Sequence, residues 1–225
     1  MLTRTPYHIE LGIIKQAVAQ LSTMDVRIAI NQPTGDFFYD PWELKSEFKG
    51  TAWETIYNSL PFNVGEARTI LLQSAQCYAS HADIDDRYHL NLAGEKSYLV
   101  DLESNVMHKT ERDGQWFEMD AGKLHTAINF SNAPRFQLVV RKLLMRPAEK
   151  SNFVHVQITS NITKLEDARY EFDNTISVFL NRINKQELMD NFNHSVELVT
   201  FDIHEKCLEE LTKLAGGQFS VKLIS

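Results

Sequence analysis

Apolar residues recur at helical spacing in the first sixty positions of the chain. Between Ile9 and Leu21 they fall three or four residues apart, which predicts a helix that packs by one face. A second helix is predicted over residues 42–60, because Pro41 suits its first turn and Pro61 ends it. The N-terminal part of the chain is therefore expected to supply two packing helices.

After Pro61 the pattern changes to short segments that are rich in β-branched and aromatic residues and are separated by turn sequences. We predict strands over residues 68–78, 88–92, 96–102, 116–119, 124–130 and 135–144. A run of short antiparallel strands after two helices is typical of a mostly β protein. We expect its core to be a double-stranded β-helix, the jelly-roll or cupin architecture.

Polar and apolar residues alternate along three of these predicted strands. Arg87, His89 and Asn91 alternate with apolar or aromatic residues, and Arg135 and Gln137 do the same in the last strand. Near His125, Ala127 and Asn129 alternate with Ile128 and Phe130. Because successive side chains of a strand point to opposite faces, each of these strands has one polar and one apolar face. We expect the apolar faces to pack beneath the helices and the polar faces to converge inside the sandwich.

A third pattern begins near Pro147 and predicts a small α+β lobe. Strands are predicted over residues 153–159, 196–201 and 219–224, and helices over residues 165–183 and 185–192. Another helix is predicted from a capping box at residues 202–205 to Gly216 and Gly217. The chain is therefore divided into a jelly-roll domain with its N-terminal helices, residues 1–146, and a C-terminal lobe, residues 147–225.

Composition narrows the classes of partner. The 225 residues are 43% hydrophobic and 24% charged, and the formal net charge is −7 with no long basic stretch, so a nucleic-acid partner is not expected. Cys77 and Cys207 stand far apart, which favours reduced thiols in the cytoplasm. No signal peptide is recognised at the N-terminus, and no apolar run approaches the roughly 20 residues of a membrane helix. We expect a soluble cytoplasmic protein that binds neither membranes nor nucleic acid.

Candidate chemistry begins at His81-Ala82-Asp83. In an extended segment the first and third side chains project from one face, and a second imidazole, His125, opens a predicted strand 44 residues later. Two imidazoles and one carboxylate can take three adjacent corners of an octahedron, which leaves three corners open and suits non-haem Fe(II). Arg135 follows His125 by ten residues, and its guanidinium can clamp a dicarboxylate through two parallel hydrogen bonds.

This pattern resembles the Fe(II)- and 2-oxoglutarate-dependent oxygenases, and within them the aspartyl/asparaginyl β-hydroxylase-like group, which includes proline cis-hydroxylases. Further motifs of that group are matched over about residues 65–145. They are the strand Arg87-Tyr88-His89-Leu90-Asn91-Leu92, the stretch Gly114-Gln115-Trp116 followed by Asp120, and Asn129 four residues after His125.

The resemblance implies a ligand set and a reaction. His81, Asp83 and His125 would bind Fe(II), Arg135 would bind the distal carboxylate of 2-oxoglutarate, and Arg87 and His89 would help to hold its metal-proximal carboxylate. With O2, such enzymes convert 2-oxoglutarate to succinate and CO2 and hydroxylate an unactivated C–H bond, here of an amino acid or a peptide side chain. Asp83 favours hydroxylation, since halogenating relatives lack that carboxylate. The catalytic group is the metal centre, and no substrate-binding residue is predicted.

Other interpretations of the same residues stay open. His81 and Asp83 can be loop residues, with Asp83, Asp85 and Asp86 forming a solvated acidic cluster. Arg87 can pair with one of those acids on the surface, and His89 can orient a neighbouring group. The whole domain can also bind metal and dicarboxylate as a sensor without turnover. A cupin-type isomerase or hydrolase is less favoured, because such enzymes need no second bound dicarboxylate.

Overall fold

The computed structural model describes residues 2–21, 25, 27–83, 85–144, 152–160, 189–194, 198–217 and 219–224. They fall into two compact units. The first unit comprises Met1–Ser80 and Asp85–Leu143, and the second comprises His81–Ile84 and Leu144–Ser225. The predicted boundary at residues 146 and 147 lies outside the described residues. Within the described ranges no helix has both the length and the apolar character needed to cross a membrane, and the cytoplasmic location stays a prediction.

The first unit is mostly β. Its strands are β1 (Leu2–His8), β2 (Arg27–Ala29), β3 (Asn31–Pro33), β4 (Trp42–Leu44), β5 (Val64–Leu72), β6 (Arg87–Ala93), β7 (Ser97–Asp101), β8 (Val106–Lys109), β9 (Gln115–Met119), β10 (His125–Asn129) and β11 (Arg135–Lys142). Its helices are α1 (Leu11–Ala19), α2 (Ala52–Tyr57) and a 3-10 turn at Ser46–Phe48. Antiparallel pairing gives a six-stranded sheet in the order β1-β9-β6-β11-β5-β2, a three-stranded sheet β10-β7-β8 and the pair β3-β4.

Within the first unit, an apolar cluster connects the six-stranded sheet with the three-stranded sheet. Leu72 and Met119 of the six-stranded sheet pack with Leu99 and Ala127 of the three-stranded sheet. Antiparallel sheets joined through apolar side chains in this way are consistent with a β-sandwich.

The apolar face of the six-stranded sheet packs against the helices, as the alternation predicted. Side chains from β6, β9 and β11 form one buried cluster with residues of α1 and α2; its members include Ile14, Ala17, Trp53, Ile56, Tyr88, Leu90, Leu92, Trp116, Phe136, Leu138 and Val140. The opposite face of β6 and β11 is polar and also buried. Buried polar groups are costly unless they are hydrogen-bonded or paired, so this polar face is a candidate for a functional site.

The second predicted helix is wrong in extent. Its first residues form β4, which pairs with β3, so their backbone is extended. Gly50 then adopts a left-handed φ of 72°, which a helix cannot contain. α2 begins only after Thr51, whose side chain accepts a hydrogen bond from the Trp53 amide at 3.1 Å. The first helix is confirmed, with shorter ends.

Most of the predicted strands of the first unit are confirmed, whereas β1, β2, β3 and β8 were not predicted. The first predicted strand runs too far, since β5 ends at Leu72. Ala75 has a left-handed φ of 57° in the turn that follows, and Cys77 then forms only an isolated bridge with Ile128.

The second unit contains β12 (Phe153–Ser160), β13 (Met189–His194), β14 (Leu198–His204), α3 (Leu208–Ala215) and β15 (Phe219–Leu223). Its four strands form an antiparallel sheet in the order β13-β14-β12-β15. The three predicted strands and the last helix are confirmed, but the capping box is wrong because β14 continues to His204 and a 3-10 turn follows. The helix predicted over 185–192 is wrong where β13 occupies it; the helix over 165–183 and residues 185–188 lie outside the described residues.

Candidate metal centre

Three side chains predicted as metal ligands come together. The potential ligand atoms of His81, Asp83 and His125 all lie within 4.8 Å of one another. His81 Nε2 is 3.8 Å from Asp83 Oδ2. Ligand atoms that each sit about 2.1 Å from a shared ion are about 3–4 Å apart, so a small inward movement would let the group hold one cation.

His125 is the most buried of the three, with 3% of its surface exposed. It opens β10, and its Nδ1 lies 2.7 Å from the backbone oxygen of Lys123. Because a carbonyl oxygen only accepts, Nδ1 carries the hydrogen, which makes Nε2 the atom able to bind a metal. A backbone partner of this kind fixes both the tautomer and the ring orientation of a metal-binding histidine.

Strands of the first unit hold the chain on both sides of the His81–Ile84 segment. Before it, the Tyr78 amide donates to the Ala127 oxygen at 3.0 Å, and Thr126 Oγ1 donates to the Tyr78 oxygen at 2.7 Å. Both contacts are on β10, next to His125. After the segment, Asp85 is fixed by ion pairs to β6 and β11. The first unit is therefore anchored to its own strands up to Tyr78 and again from Asp85 onward.

Arg87 forms the ion pair that the sequence left open, but the pair is buried. Its Nη2 lies 3.0 Å from Asp85 Oδ1, and Arg141 Nε donates to the other oxygen of Asp85. Asp85 is 2% exposed, so it does not belong to a solvated acidic cluster. Burial lowers the pKa of Arg141, while Asp85 opposes that shift. The Arg141 guanidinium also lies 4.2 Å from the ring centre of Phe37.

Arg141 and its role were not predicted. It lies on the same face of β11 as Arg135 and Gln137, but Val139 interrupts the polar alternation between them. What the sequence lacked was the register that sets Arg141 opposite Arg87 on β6.

Replacing Asp85 by asparagine is expected to lower the free energy of unfolding by about 3–5 kcal/mol, because two buried guanidiniums would lose their shared charge. Urea unfolding followed by circular dichroism measures this. Glu111→Gln, in the exposed ion pair with Lys109, is the matched control and should barely move the unfolding midpoint. An Asp85→Asn variant as stable as that control would contradict a structural role for the cluster.

Arg135 lies on the polar face with 1% of its surface exposed. Its Nε donates to Ser97 Oγ at 2.6 Å, and its Nη2 donates to Gln137 Oε1 at 2.5 Å. Both partners are neutral, and among the described residues no carboxylate forms an ion pair with it. Burial lowers the pKa of Arg135 to about 10, so the guanidinium stays charged near neutral pH. Arg135 is thus a buried cation whose hydrogen-bond partners Ser97 and Gln137 are both neutral.

His89 lies close to the same group. Its Nδ1 is 3.2 Å from Gln137 Oε1, while its Nε2 is buried and has no hydrogen-bond partner among the described residues. Burial, and after it the positive charge of Arg135, lowers the pKa of His89 to about 3, with smaller effects of His125 and Arg87. His89 is therefore neutral at pH 7.

Asn129, the motif residue after His125, is buried and ties loops together. Its side-chain amide donates to the backbone oxygens of Ala133 at 2.8 Å and Gln73 at 3.0 Å. These bonds join the end of β10 to the segments that follow β5 and precede β11. Asn129 thus helps to place the strand that begins with His125.

Comparison of the sequence with models of known protein families and with curated proteins found no match. The resemblance to the 2-oxoglutarate oxygenases therefore stays a prediction, and support for a function has to come from the geometry of the site.

Proposed function

We propose that this protein is an Fe(II)- and 2-oxoglutarate-dependent dioxygenase that hydroxylates an unactivated C–H bond of an amino acid or a peptide side chain. The main support is that the chain has two features: a group of two imidazoles and a carboxylate, and a buried arginine with neutral hydrogen-bond partners. His89 interacts electrostatically with both His125 and Arg135, which supports a site that includes both residues.

The order of the strands supports a jelly-roll core. From β5 to β11 the chain crosses repeatedly between two sheets: β5, β6, β9 and β11 lie in the six-stranded sheet, whereas β7, β8 and β10 form the three-stranded one. Cys77 bridges to Ile128, so the segment between β5 and β6 adds to the three-stranded sheet. Chains that pass back and forth between two sheets in this way build a double-stranded β-helix.

The residues present fit Fe(II). Two imidazole nitrogens and one carboxylate oxygen are the donor set of a facial triad, which leaves coordination positions for a chelating cosubstrate and for O2. A closed structural zinc site would instead need four protein ligands. His81, Asp83 and His125 are therefore assigned as the residues that would hold the iron.

Arg135 is suited to one carboxylate of the cosubstrate. Its Nε and Nη2 form one edge of the guanidinium, and that edge is occupied by Ser97 and Gln137. The opposite edge, made by Nη1 and the second hydrogen of Nη2, has the spacing for two parallel bonds to a carboxylate. A dicarboxylate anchored there can extend its other end towards the metal ligands.

The tautomer of His89 modifies the role that the resemblance implies for it. Since Nδ1 donates to Gln137, neutral His89 offers an acceptor at Nε2 and no donor to the metal-proximal carboxylate. We therefore assign carboxylate binding to Arg135. The Nε2 atom of His89 would instead accept a hydrogen bond from a donor such as water.

When bound, Fe(II) supplies the O2 chemistry: one oxygen atom enters succinate as 2-oxoglutarate loses CO2, and the other is inserted into the substrate C–H bond as a hydroxyl. The protein's own contribution is to hold the reactants in a fixed arrangement and away from water. The apolar cluster of Leu72, Leu99, Met119 and Ala127 lies between the sheets and would help to exclude water there.

The test is turnover with a panel of amino acids and short peptides. With Fe(II) and 2-oxoglutarate, one panel member should stimulate O2 consumption and succinate formation in equal amounts. Asp83→Ala, which removes one ligand, should abolish both. If iron and 2-oxoglutarate bind and no O2 is consumed with any panel member, a non-catalytic metal- and dicarboxylate-binding domain becomes the better description.

A further inference from the structure

The hydrogen bonds around Arg135 fix the orientation of the Gln137 amide. A guanidinium can only donate, so the Gln137 atom 2.5 Å from Arg135 Nη2 has to be the carbonyl oxygen Oε1. The amide nitrogen then faces two hydroxyls, Thr110 Oγ1 at 2.6 Å and Ser97 Oγ at 2.9 Å. A flipped amide would set donor against donor at Arg135, so only one orientation is possible.

The two hydroxyls complete the network. Ser97 Oγ accepts from Arg135 and from Gln137, so its own hydrogen goes to Thr110 Oγ1 at 2.6 Å. Thr110 in turn donates to the Ser97 backbone oxygen at 3.3 Å. Both hydroxyls and the Gln137 amide are satisfied, yet this network contains no negative charge.

A neutral residue at position 137 is unexpected from stability alone. Gln137 is fully buried and contacts a buried cation through its side-chain oxygen. A glutamate has nearly the same shape and would put a carboxylate oxygen where Oε1 now lies, while the hydroxyls of Ser97 and Thr110 could turn to donate to the other oxygen. Charge-assisted hydrogen bonds are roughly twice as strong as neutral ones. The glutamine therefore makes a weaker hydrogen bond with Arg135 than a glutamate would.

We propose that Gln137 is the residue that reserves the charge of Arg135 for a carboxylate ligand. Its amide oxygen orients the guanidinium, and its neutrality leaves the positive charge without an internal counterion. The same oxygen accepts from His89 Nδ1 at 3.2 Å and so sets that tautomer as well. This inference rests on the proposed function only in taking the ligand to be the dicarboxylate cosubstrate.

Gln137→Glu separates this role from a packing role. Under anaerobic conditions with Fe(II), calorimetric titration should show that 2-oxoglutarate binds at least about 30-fold more weakly than to the unchanged protein. The reason is that the carboxylate of Glu at position 137 would form an ion pair with Arg135 and compete with the ligand. Iron affinity should change less than about threefold. The unfolding midpoint in urea should be equal or higher, since the buried cation gains a counterion.

Gln137→Met is the companion variant, which removes the acceptor and adds no charge. It should weaken 2-oxoglutarate binding by about tenfold or less, and the His89 ring should lose its single Nδ1-protonated tautomer, which nitrogen-15 NMR detects. A Gln137→Glu variant that binds 2-oxoglutarate within about threefold of the unchanged protein, or that loses stability, would overturn the proposal.

Failure of this inference differs from failure of the proposed function. If the unchanged protein binds 2-oxoglutarate but never consumes O2, the enzymatic proposal falls and the role of Gln137 stands. If it turns over and Gln137→Glu binds the cosubstrate equally well, only the role of Gln137 falls. If it binds no 2-oxoglutarate at all, both fall together.

Discussion

Replacing His125 with alanine is expected to abolish retention of Fe(II), with a loss of affinity greater than about 100-fold. The variant would remove the most buried ligand, whose Nδ1 bond to the Lys123 oxygen already directs Nε2 as the ligand atom. Only His81 and Asp83 would remain, and both are partly exposed. Iron content after dialysis under argon, together with anaerobic titration of Fe(II), measures the effect.

His155→Ala is the matched control for that experiment. His155 also interacts with an aspartate, since its Nδ1 lies 2.6 Å from Asp202 Oδ1, but it is in the second unit and is not a member of the metal group. Its replacement should leave iron binding unchanged. A His125→Ala variant that keeps the full iron content would remove His125 from the ligand set.

Arg135→Lys is expected to weaken 2-oxoglutarate binding by about 100-fold or more and to leave iron affinity nearly unchanged. Arginine contacts Ser97 and Gln137 through one edge and keeps a second edge for a carboxylate. A lysine ammonium is a single point of charge and cannot satisfy both neutral acceptors and still bind a carboxylate through two parallel bonds. Anaerobic calorimetry with 2-oxoglutarate and, separately, with Fe(II) measures the two affinities.

Arg4→Lys provides the comparison for this second variant. Arg4 lies on the same sheet but is exposed, and it pairs with Asp113 at the surface. The change should affect neither ligand. Equal loss of iron and 2-oxoglutarate in Arg135→Lys would show that Arg135 supports the fold of the site in general and is not the anchor of the cosubstrate.

The polar interior could be predicted because a strand repeats every two residues. Arg87, His89 and Asn91 share one face of β6 whatever the sheet around them, and the apolar residues between them needed a core to pack against. Arg135 and Gln137 likewise share one face of β11. Local periodicity was enough for these parts of the site.

The N-terminal elements show where local patterns fail. Residues 42–44 have a composition compatible with a helix, but pairing with β3, which lies only a short loop earlier in the chain, makes them a strand. β1 has no strong alternation, and it exists because β9 offers it hydrogen bonds at the sheet edge. Tertiary pairing outweighs intrinsic propensity in both cases.

The supporting side chains of the site also depend on tertiary contacts. Ser97 and Thr110 come from outside β11, and only the packing of the three-stranded sheet against the six-stranded one brings them to Gln137. For Asp85 the sequence left open a place among several solvated acids, yet two arginines from different strands enclose it. Contacts of this kind cannot be predicted from the spacing of residues along the chain.

In the proposed site His81, Asp83 and His125 hold one ferrous ion, to which a dicarboxylate anchored by Arg135 binds. Anaerobic addition of Fe(II) and 2-oxoglutarate tests this arrangement, because a 2-oxo acid that chelates Fe(II) gives a weak visible charge-transfer band. We expect this band for the unchanged protein, none for His125→Ala, and for Arg135→Lys a band only at much higher 2-oxoglutarate. Protein that binds Fe(II) and shows no band at any 2-oxoglutarate concentration would contradict it.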